Sequence, residues 1–139
     1  MTTPIVLTIE AIVNAPISKV WTYWTQAEHI TKWNYAADDW HCPTAETNLT
    51  VGEKFSATMA AKDGSFSFDF WGTYDAIETE KELHITLDDG RKWSVHFTVE
   101  GNATKVVEHF EAETVNPTEM QQQGWQMILN NFKKYTEAN

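Results

Sequence analysis

The most constraining feature of the sequence is a series of alternating apolar positions between residues 55 and 113, interrupted by short turn signals. Apolar residues recur at every second position, which is the period of a strand with one buried face. The turn signals at 62–65, 88–90 and 101–102 place glycine beside aspartate or asparagine, as in tight hairpins. The alternating segments are Phe55 to Met59, Phe66 to Tyr74, Leu83 to Leu87, Trp93 to Val99 and Lys105 to Glu113. Consecutive hairpins predict an antiparallel sheet, whose apolar face needs a cover.

A helix at the C-terminal end can supply that cover. Residues 116–119, Asn-Pro-Thr-Glu, offer an N-cap, a proline at the first helical position and a glutamate placed to complete a capping box. Apolar side chains then recur with helical spacing at Trp125, Ile128, Leu129 and Phe132. The pattern predicts one long amphipathic helix that runs nearly to Tyr135.

The N-terminal part of the chain predicts one strand and two short helices. Residues 5–13 are rich in β-branched side chains and indicate a strand. The strand ends at Asn14-Ala15-Pro16, where the proline can open a helix. The apolar stripe of that helix consists of Ile17, Val20, Trp21 and Trp24. A second short helix is predicted from about Ala27 to Trp33.

Residues 34–51 have neither the helical period nor the strand period, and they predict a long loop. Because long ordered loops are often lids or binding segments, we expect this one to act as a partial lid over a ligand site. Within it, His41 and Cys42 lie beside Asp39 and could in principle bind a metal or activate a nucleophile. The cluster is local and lacks a second, spaced pair of ligands, so we interpret it as a polar loop and predict no metal site.

Length and charge narrow the class of protein. The chain has 139 residues and no Pro/Gly/Ser linker, which predicts a single domain over residues 1–139. Its net charge of -10 would repel phosphate backbones and anionic bilayers, so we expect neither nucleic acid nor membrane insertion. Met1 to Leu7 show no basic patch followed by an apolar core, and Cys42 is the only cysteine, which favours a soluble cytoplasmic protein. Dinucleotide-binding, phosphate-loop and zinc-protease motifs are missing from the sequence, and we predict no cofactor.

Four short stretches carry a family resemblance. They are residues 15–21 (Ala-Pro-Ile-Ser-Lys-Val-Trp), 29–33 (His-Ile-Thr-Lys-Trp), 72–74 (Gly-Thr-Tyr) and 124–125 (Gly-Trp). On these stretches the sequence resembles the START-like superfamily, also called SRPBCC or helix-grip proteins, and within it the branch related to the C-terminal domain of the Hsp-90 ATPase activators. The resemblance covers nearly the whole chain.

The resemblance implies an α+β fold of the helix-grip kind. In this fold a curved antiparallel sheet wraps around a long C-terminal helix, and two short helices follow the first strand. It also implies a cavity between the sheet and the long helix, but it carries over no universal catalytic residue.

One carboxylate falls on the predicted apolar face. If Val106, Phe110 and Ala112 point into the core, the period of two places Glu108 on the same side. A buried glutamate without a partner has a raised pKa and could bind a ligand hydroxyl or transfer a proton. The alternatives are a structural ion pair or a strand shifted by one residue. His96 and His109 fall on the opposite face, where solvent is expected.

The aromatic residues either line a pocket or fill the core. A domain of this size needs several large side chains for packing, but seven tryptophans exceed that need, and pockets for flat apolar ligands favour such walls. The predicted ligand-binding residues are Trp40, Met59, Phe68, Phe70, Trp93, Glu108 and Trp125. No residue is predicted to be catalytic.

Three functions fit the sequence. The first is a non-catalytic module that binds a lipid-like or polycyclic aromatic, polyketide-like molecule between sheet and helix. The second is an enzyme of the cyclase or dehydratase kind, with Glu108 as general acid or base on a similar ligand. The third is a protein-interaction domain resembling the chaperone activators, with a chaperone or another protein as partner and a role in the stress response.

Overall fold

A computed structural model describes residues 4–139. Its helices and strands follow in the order β1 (Val6–Val13), α1 (Ile17–Thr25), α2 (Ala27–Ile30), β2 (Trp40–Thr47), β3 (Lys54–Ala61), β4 (Ser67–Glu78), β5 (Glu82–Leu87), β6 (Lys92–Glu100), β7 (Ala103–Glu111) and α3 (Thr118–Ala138). Met1 to Thr3, the start of the N-terminal segment considered above, lie outside the described residues. Across residues 4–139, no helix is long and apolar enough to cross a bilayer.

The strands form one curled antiparallel sheet in the order β1-β7-β6-β5-β4-β3-β2. Strands β2 to β7 follow one another as sequential hairpins, and β1 pairs with the free side of β7. The first and last strands in the chain, β1 and β7, are thus neighbours in the sheet, and the long helix α3 packs against it. This is the α+β helix-grip arrangement predicted from the sequence.

The alternation in the sequence sets which side of the sheet is buried. In β7, Thr104, Val106, Glu108 and Phe110 are buried, and the residues between them are partly exposed. Strand β5 buries Leu83, Ile85 and Leu87 in the same way, and β6 buries Trp93, Val95 and Phe97. The predicted register of β7 is therefore correct, with no shift of one residue.

The C-terminal half of α3 packs against the two short helices. Phe132 is fully buried, and its ring centroid lies 4.8 Å from that of Trp24 and 5.0 Å from that of Trp33, both in edge-to-face geometry. Such aromatic pairs add specific geometry to the burial of large apolar surfaces. The space between the C-terminal half of α3 and the two short helices is consequently filled with aromatic side chains.

Polar side chains of α3 also bind the outer edge of β1. Gln122 Nε2 donates to the carbonyl of Thr8 at 2.9 Å, and Gln126 Nε2 donates to the carbonyl of Glu10 at 3.2 Å. Further along, Lys133 Nζ donates to the carbonyl of Ile12 at 2.6 Å. The three acceptors are alternate residues of β1, because alternate carbonyls of an edge strand point away from its partner.

The predicted loop at residues 34–51 is wrong in its central part, where the structure has the edge strand β2. This strand pairs with β3, and its register shifts between His41 and Thr44, so that Cys42 and Pro43 face a single residue of β3. A β-bulge inserts an extra residue and breaks the period of two, which explains why the sequence did not indicate a strand. Proline is tolerated there because β2 is an edge strand.

The start of α3 also differs from the prediction. Pro117 occupies the N-cap position and makes no side-chain capping bond, so the capping box predicted around Asn116 is not formed. The carboxylate of Glu113 accepts instead from the backbone N–H groups of Val115 and Asn116, at 3.3 Å and 2.7 Å. The buried Gln121 then binds this connection by accepting from the N–H of Glu113 and donating to the carbonyls of Glu113 and Asn116.

Candidate functional site

A cavity of about 480 Å³ lies between the sheet and the N-terminal half of α3. Its wall is mainly aromatic and aliphatic and includes residues from every strand between β3 and β7. The lining residues are Trp24, Ile30, Trp33, Asn34, Ala36, Phe55, Met59, Phe68, Phe70, Tyr74, Leu83, Ile85, Arg91, Trp93, Glu108, Glu113, Asn116, Met120, Gln121, Gly124, Trp125 and Ile128. Both the volume and the composition are typical of pockets for small organic ligands.

Aromatic rings in mutual contact form one wall of the cavity. Trp125 of α3 stacks on Phe110 of β7 with ring centroids 3.9 Å apart and an angle of 7° between the planes. Trp93 and Phe70 meet Trp125 edge to face, at 5.4 Å and 5.8 Å. Phe55 lies 5.8 Å from both Phe70 and Trp93. These contacts hold the rings in fixed orientations and leave a rigid apolar surface.

Glu108 is a carboxylate on this apolar wall, and only 3% of its surface is exposed. The neighbouring inward positions of β7, Val106 and Phe110, are fully buried. The indole Nε1–H of Trp93 donates to Glu108 Oε1 at 2.9 Å. Among residues 4–139, this is the only hydrogen bond to the carboxyl group, and no ion pair reaches it. The predicted structural ion pair is therefore not formed within that range.

Burial raises the pKa of Glu108 to about 8, although the hydrogen bond from Trp93 opposes the shift. The cause is loss of solvation, because a carboxylate in an apolar wall is much less stable than the neutral acid. At neutral pH the group is therefore mostly a carboxylic acid, which can donate a hydrogen bond as well as accept one.

Three polar residues of the cavity wall, Arg91, Glu113 and Gln121, already make hydrogen bonds within the protein. Arg91 Nε pairs with Asp89 at 2.6 Å, and its Nη1 donates to the carbonyl of Glu111 at 3.4 Å. Glu113 and Gln121 hold the connection between β7 and α3 through the hydrogen bonds described above. These polar groups are therefore held in place, and most of the remaining wall is apolar.

The structure brings six of the seven predicted site residues to this cavity. Met59, Phe68, Phe70, Trp93, Glu108 and Trp125 line it. Trp40 does not. Its ring lies on the edge strand beside Phe66 and Phe68, with both centroid distances 6.1 Å, in a partly exposed aromatic cluster.

Several lining residues were not predicted from the sequence. Phe55 and Tyr74 belong to the same alternating sets as Met59 and Phe70, so the period of two could have identified them. Trp24, Trp33 and Asn34 come from α1 and from the chain after α2, and only the tertiary packing brings them to the wall. Of the predicted lid, the described residues Asn34 and Ala36 contribute to the lining, whereas β2 does not.

Cys42, the residue considered as a nucleophile or metal ligand, is not an activated thiol. Cys42 is buried, its thiol donates to the carbonyl of Thr44, and burial raises its pKa to about 11. A protonated thiol is a poor nucleophile and a poor metal ligand. Across the described part of the chain, no group of three or more His, Cys, Asp or Glu side chains has the geometry to hold a metal ion.

Comparisons with known proteins agree with this architecture. The family model described as "Activator of Hsp90 ATPase homolog 1-like protein" matches residues 14–137. The solution structure of an AHSA1-like protein from Aeromonas hydrophila is similar, with 44% identity, a TM-score of 0.91 and coverage of 96% of this chain and 93% of that one. The solution structure of Chr148 from Cytophaga hutchinsonii is similar over 95% and 92% of the two chains, with 52% identity and a TM-score of 0.81.

A more distant structure shows the fold alone. The protein CV1439 from Chromobacterium violaceum is 17% identical, with a TM-score of 0.86 and coverage of 98% of this chain and 100% of that one. No curated protein sequence matches the chain. Because the family model spans residues 14–137 and a structure that is 44% identical shares the fold over 96% of the chain, the chain belongs to the Activator of Hsp90 ATPase homolog 1-like family of the START-like, helix-grip superfamily.

Proposed function

We propose that this protein binds a small apolar molecule, lipid-like or polycyclic aromatic, in the cavity between the sheet and α3. The observation that carries the proposal is the space of about 480 Å³ with a mainly apolar wall, which is present although the C-terminal half of α3 packs closely against Trp24 and Trp33. Native interiors contain few voids larger than a water molecule. A cavity of this size therefore supports a binding role better than a structural one.

The wall favours a flat ligand over a flexible chain. Trp93, Trp125, Phe70 and Phe55 are held by contacts with one another, so they offer a preformed surface. A rigid molecule loses little conformational entropy on entering such a site, whereas a fatty acid chain must be immobilised bond by bond. Within the proposed class, polycyclic aromatic and polyketide-like molecules are the better match.

Amide chemical-shift titrations will test the proposal with fatty acids, sterols, flavonoid-like polycycles and polyketide mimics. We expect saturable shifts at Trp125, at Glu108 and at the indole N–H of Trp93, with the polycycles bound most tightly. If no member of the panel produces a saturable shift, the proposal is wrong.

A cavity-filling variant makes the test specific. A Cβ atom added at Gly124 of α3 would meet no other atom within 4 Å outside the helix's own nearby backbone, and Gly124 lines the cavity. We expect Gly124→Leu to fold, because leucine is a better helix former than glycine, and to weaken ligand binding roughly tenfold or more by occupying the space. Gln123→Leu, on the exposed side of the same turn, is the matched control and should bind as the wild type does. Equal binding by both variants would place the ligand elsewhere.

Binding without turnover is the expected outcome. An acid–base reaction on a bound hydroxyketone needs a general base in addition to the acid supplied by Glu108. Among the described lining residues, the other titratable groups are Tyr74, Arg91 and Glu113, and each already makes hydrogen bonds to the protein. We expect mass spectrometry to recover a bound β-hydroxyketone unchanged after prolonged incubation. Turnover that disappears in Glu108→Gln would instead establish an enzyme.

A further inference from the structure

The carboxyl group of Glu108 is incompletely paired inside the cavity. Oε1 accepts the indole N–H of Trp93, so a proton on the neutral acid resides on Oε2. Within residues 4–139, no backbone or side-chain acceptor bonds to Oε2. Oε2 is not among the fully buried unpaired atoms of the described residues, so it is open to the cavity, where an acceptor on a ligand can form a hydrogen bond with it. The Oε2–H group is therefore free to donate a hydrogen bond to an acceptor from outside the chain.

Apart from Trp93, the side chains next to Glu108 in the described residues provide no charged or titratable partner for its carboxyl group. The strand neighbours in register, Ile9 of β1 and Val95 of β6, are apolar. The helix α3 presents Gly124, Trp125 and Ile128 to the cavity, and none of them titrates.

The remaining charged and titratable groups of the wall are Tyr74, Arg91 and Glu113. Burial raises the pKa of Tyr74 above its ordinary value of 10, and the Arg91 guanidinium is paired with Asp89. Glu113 accepts backbone N–H groups of the connection between β7 and α3. In the described part of α1, α2 and β3, no titratable side chain lines the cavity. The pKa of Glu108, raised to about 8, lies between pH 6 and pH 9.5, so its charge changes over this range.

We infer that Glu108 donates a hydrogen bond to a neutral acceptor, a carbonyl or equivalent oxygen, on a flat apolar ligand, an inference that rests on the proposed function. The acceptor satisfies Oε2–H, and the apolar body of the ligand lies against the aromatic wall. No charge is buried in this arrangement, so binding incurs no penalty for desolvating an ion.

An ammonium ligand fits the site less well. It would require Glu108 to ionise in an apolar wall, and a buried ion pair rarely recovers the cost of desolvating both partners. One face of Trp125 is already covered by Phe110, and the neighbouring rings pack edge to face, so the rings do not form an open cage for a cation.

Three naphthalene derivatives of nearly equal shape test the inference by calorimetry. They are 2-acetylnaphthalene, which has a carbonyl acceptor, 2-isopropenylnaphthalene, in which a methylene group replaces the oxygen, and 1-(2-naphthyl)ethylamine, which is a cation. At pH 6 we expect the ketone to bind the wild type about tenfold more tightly than the hydrocarbon, the value of one buried hydrogen bond. At pH 9.5 the carboxyl group is ionised, and this preference should be lost.

Two substitutions separate the hydrogen bond from the charge. Glu108→Gln keeps a donor and an acceptor but does not titrate, so we expect it to retain the preference for the ketone at both pH values. Glu108→Met keeps the size of the side chain but has no donor, and we expect it to bind ketone and hydrocarbon equally. In the wild type, the Trp93 indole N–H resonance should shift when the ketone binds.

The outcomes distinguish this inference from the proposed function. If ketone and hydrocarbon bind the wild type equally well at pH 6, the inference is wrong and the proposed function stands. The inference is also wrong if the amine, in the cationic form that it has at pH 6, binds more tightly than the ketone. If none of the three compounds binds while a member of the panel of fatty acids, sterols, polycycles and polyketide mimics does, the inference alone is wrong. If that panel is silent as well, both are wrong.

Discussion

Glu108→Gln is expected to stabilise the protein by about 3 kcal/mol at pH 7 and to leave its stability nearly unchanged at pH 4. The folded-state pKa of about 8 lies above the ordinary value of 4.5, so the folded protein retains a proton that the unfolded chain releases. Wild-type stability therefore falls as the pH rises from 4.5 to 8, whereas glutamine has no proton to lose. Urea unfolding of both proteins at pH 4, 5.5, 7 and 8.5 measures the difference directly.

The difference between the two proteins isolates Glu108 from the other titrating groups. The pKa of Glu137 is lowered, chiefly by its hydrogen bonds from the Asn14 N–H and Lys133, and its contribution to stability is lost as the pH falls. Both the wild type and Glu108→Gln contain Glu137, so its contribution cancels in the difference between their free energies of unfolding. Glu100→Gln, on an exposed residue at the end of β6, is the matched control for the exchange of glutamate for glutamine, and we expect its stability to follow that of the wild type at every pH. A difference that is constant from pH 4 to pH 8.5 would show that Glu108 is not desolvated.

Gly72→Ala should destabilise the protein by about 3 kcal/mol and lower its melting temperature by roughly 10 °C. An added Cβ at this position in β4 would lie 2.6 Å from Ile85 Cγ2 and 2.8 Å from the carbonyl oxygen of Thr86. The second contact is with backbone in the middle of the sheet, which cannot move without disturbing the pairing of β4 with β5. Thermal and urea unfolding at one fixed pH will measure the loss.

Gly124→Ala is the matched control for this effect. The same methyl group would meet nothing within 4 Å, and the glycine lies inside the helix α3. Alanine should stabilise the helix by up to about 1 kcal/mol because it loses less backbone entropy than glycine on folding. The two substitutions are thus expected to have opposite signs. A neutral Gly72→Ala would mean that β4 and β5 are farther apart than described.

The sheet and α3 could be predicted because their patterns are local. The alternation around Val106 and Phe110 was sufficient to place Glu108 on the buried face, and the hairpin signals gave the order of the central strands. Strand β2 was missed because the bulge at Cys42 and Pro43 removes the period of two from a short segment. The predicted capping box is not formed, because the carboxylate of Glu113 accepts from the backbone N–H of Asn116.

The cavity could be predicted only in part because alternation distinguishes the two faces of a strand but not its two ends. Val95 and Val106 are on the same inward face as Trp93 and Glu108, yet only the latter pair line the cavity. The difference depends on how α3 crosses the sheet, which is a tertiary property. Trp40 has the aromatic character expected of a pocket residue, but it belongs to the edge strand β2 and lies outside the cavity.

We expect the hydrogen bonds from α3 to β1 also to oppose self-association of the protein. An uncovered edge strand is a template on which another chain can add a strand and begin a fibril. At β1, the side chains of Gln122, Gln126 and Lys133 occupy alternate carbonyls that such a strand would need. At the opposite edge, β2 is interrupted by its bulge, and Pro43 has no N–H to donate. Neither edge offers a regular ladder for backbone pairing, so contacts with other proteins are expected to depend on side chains.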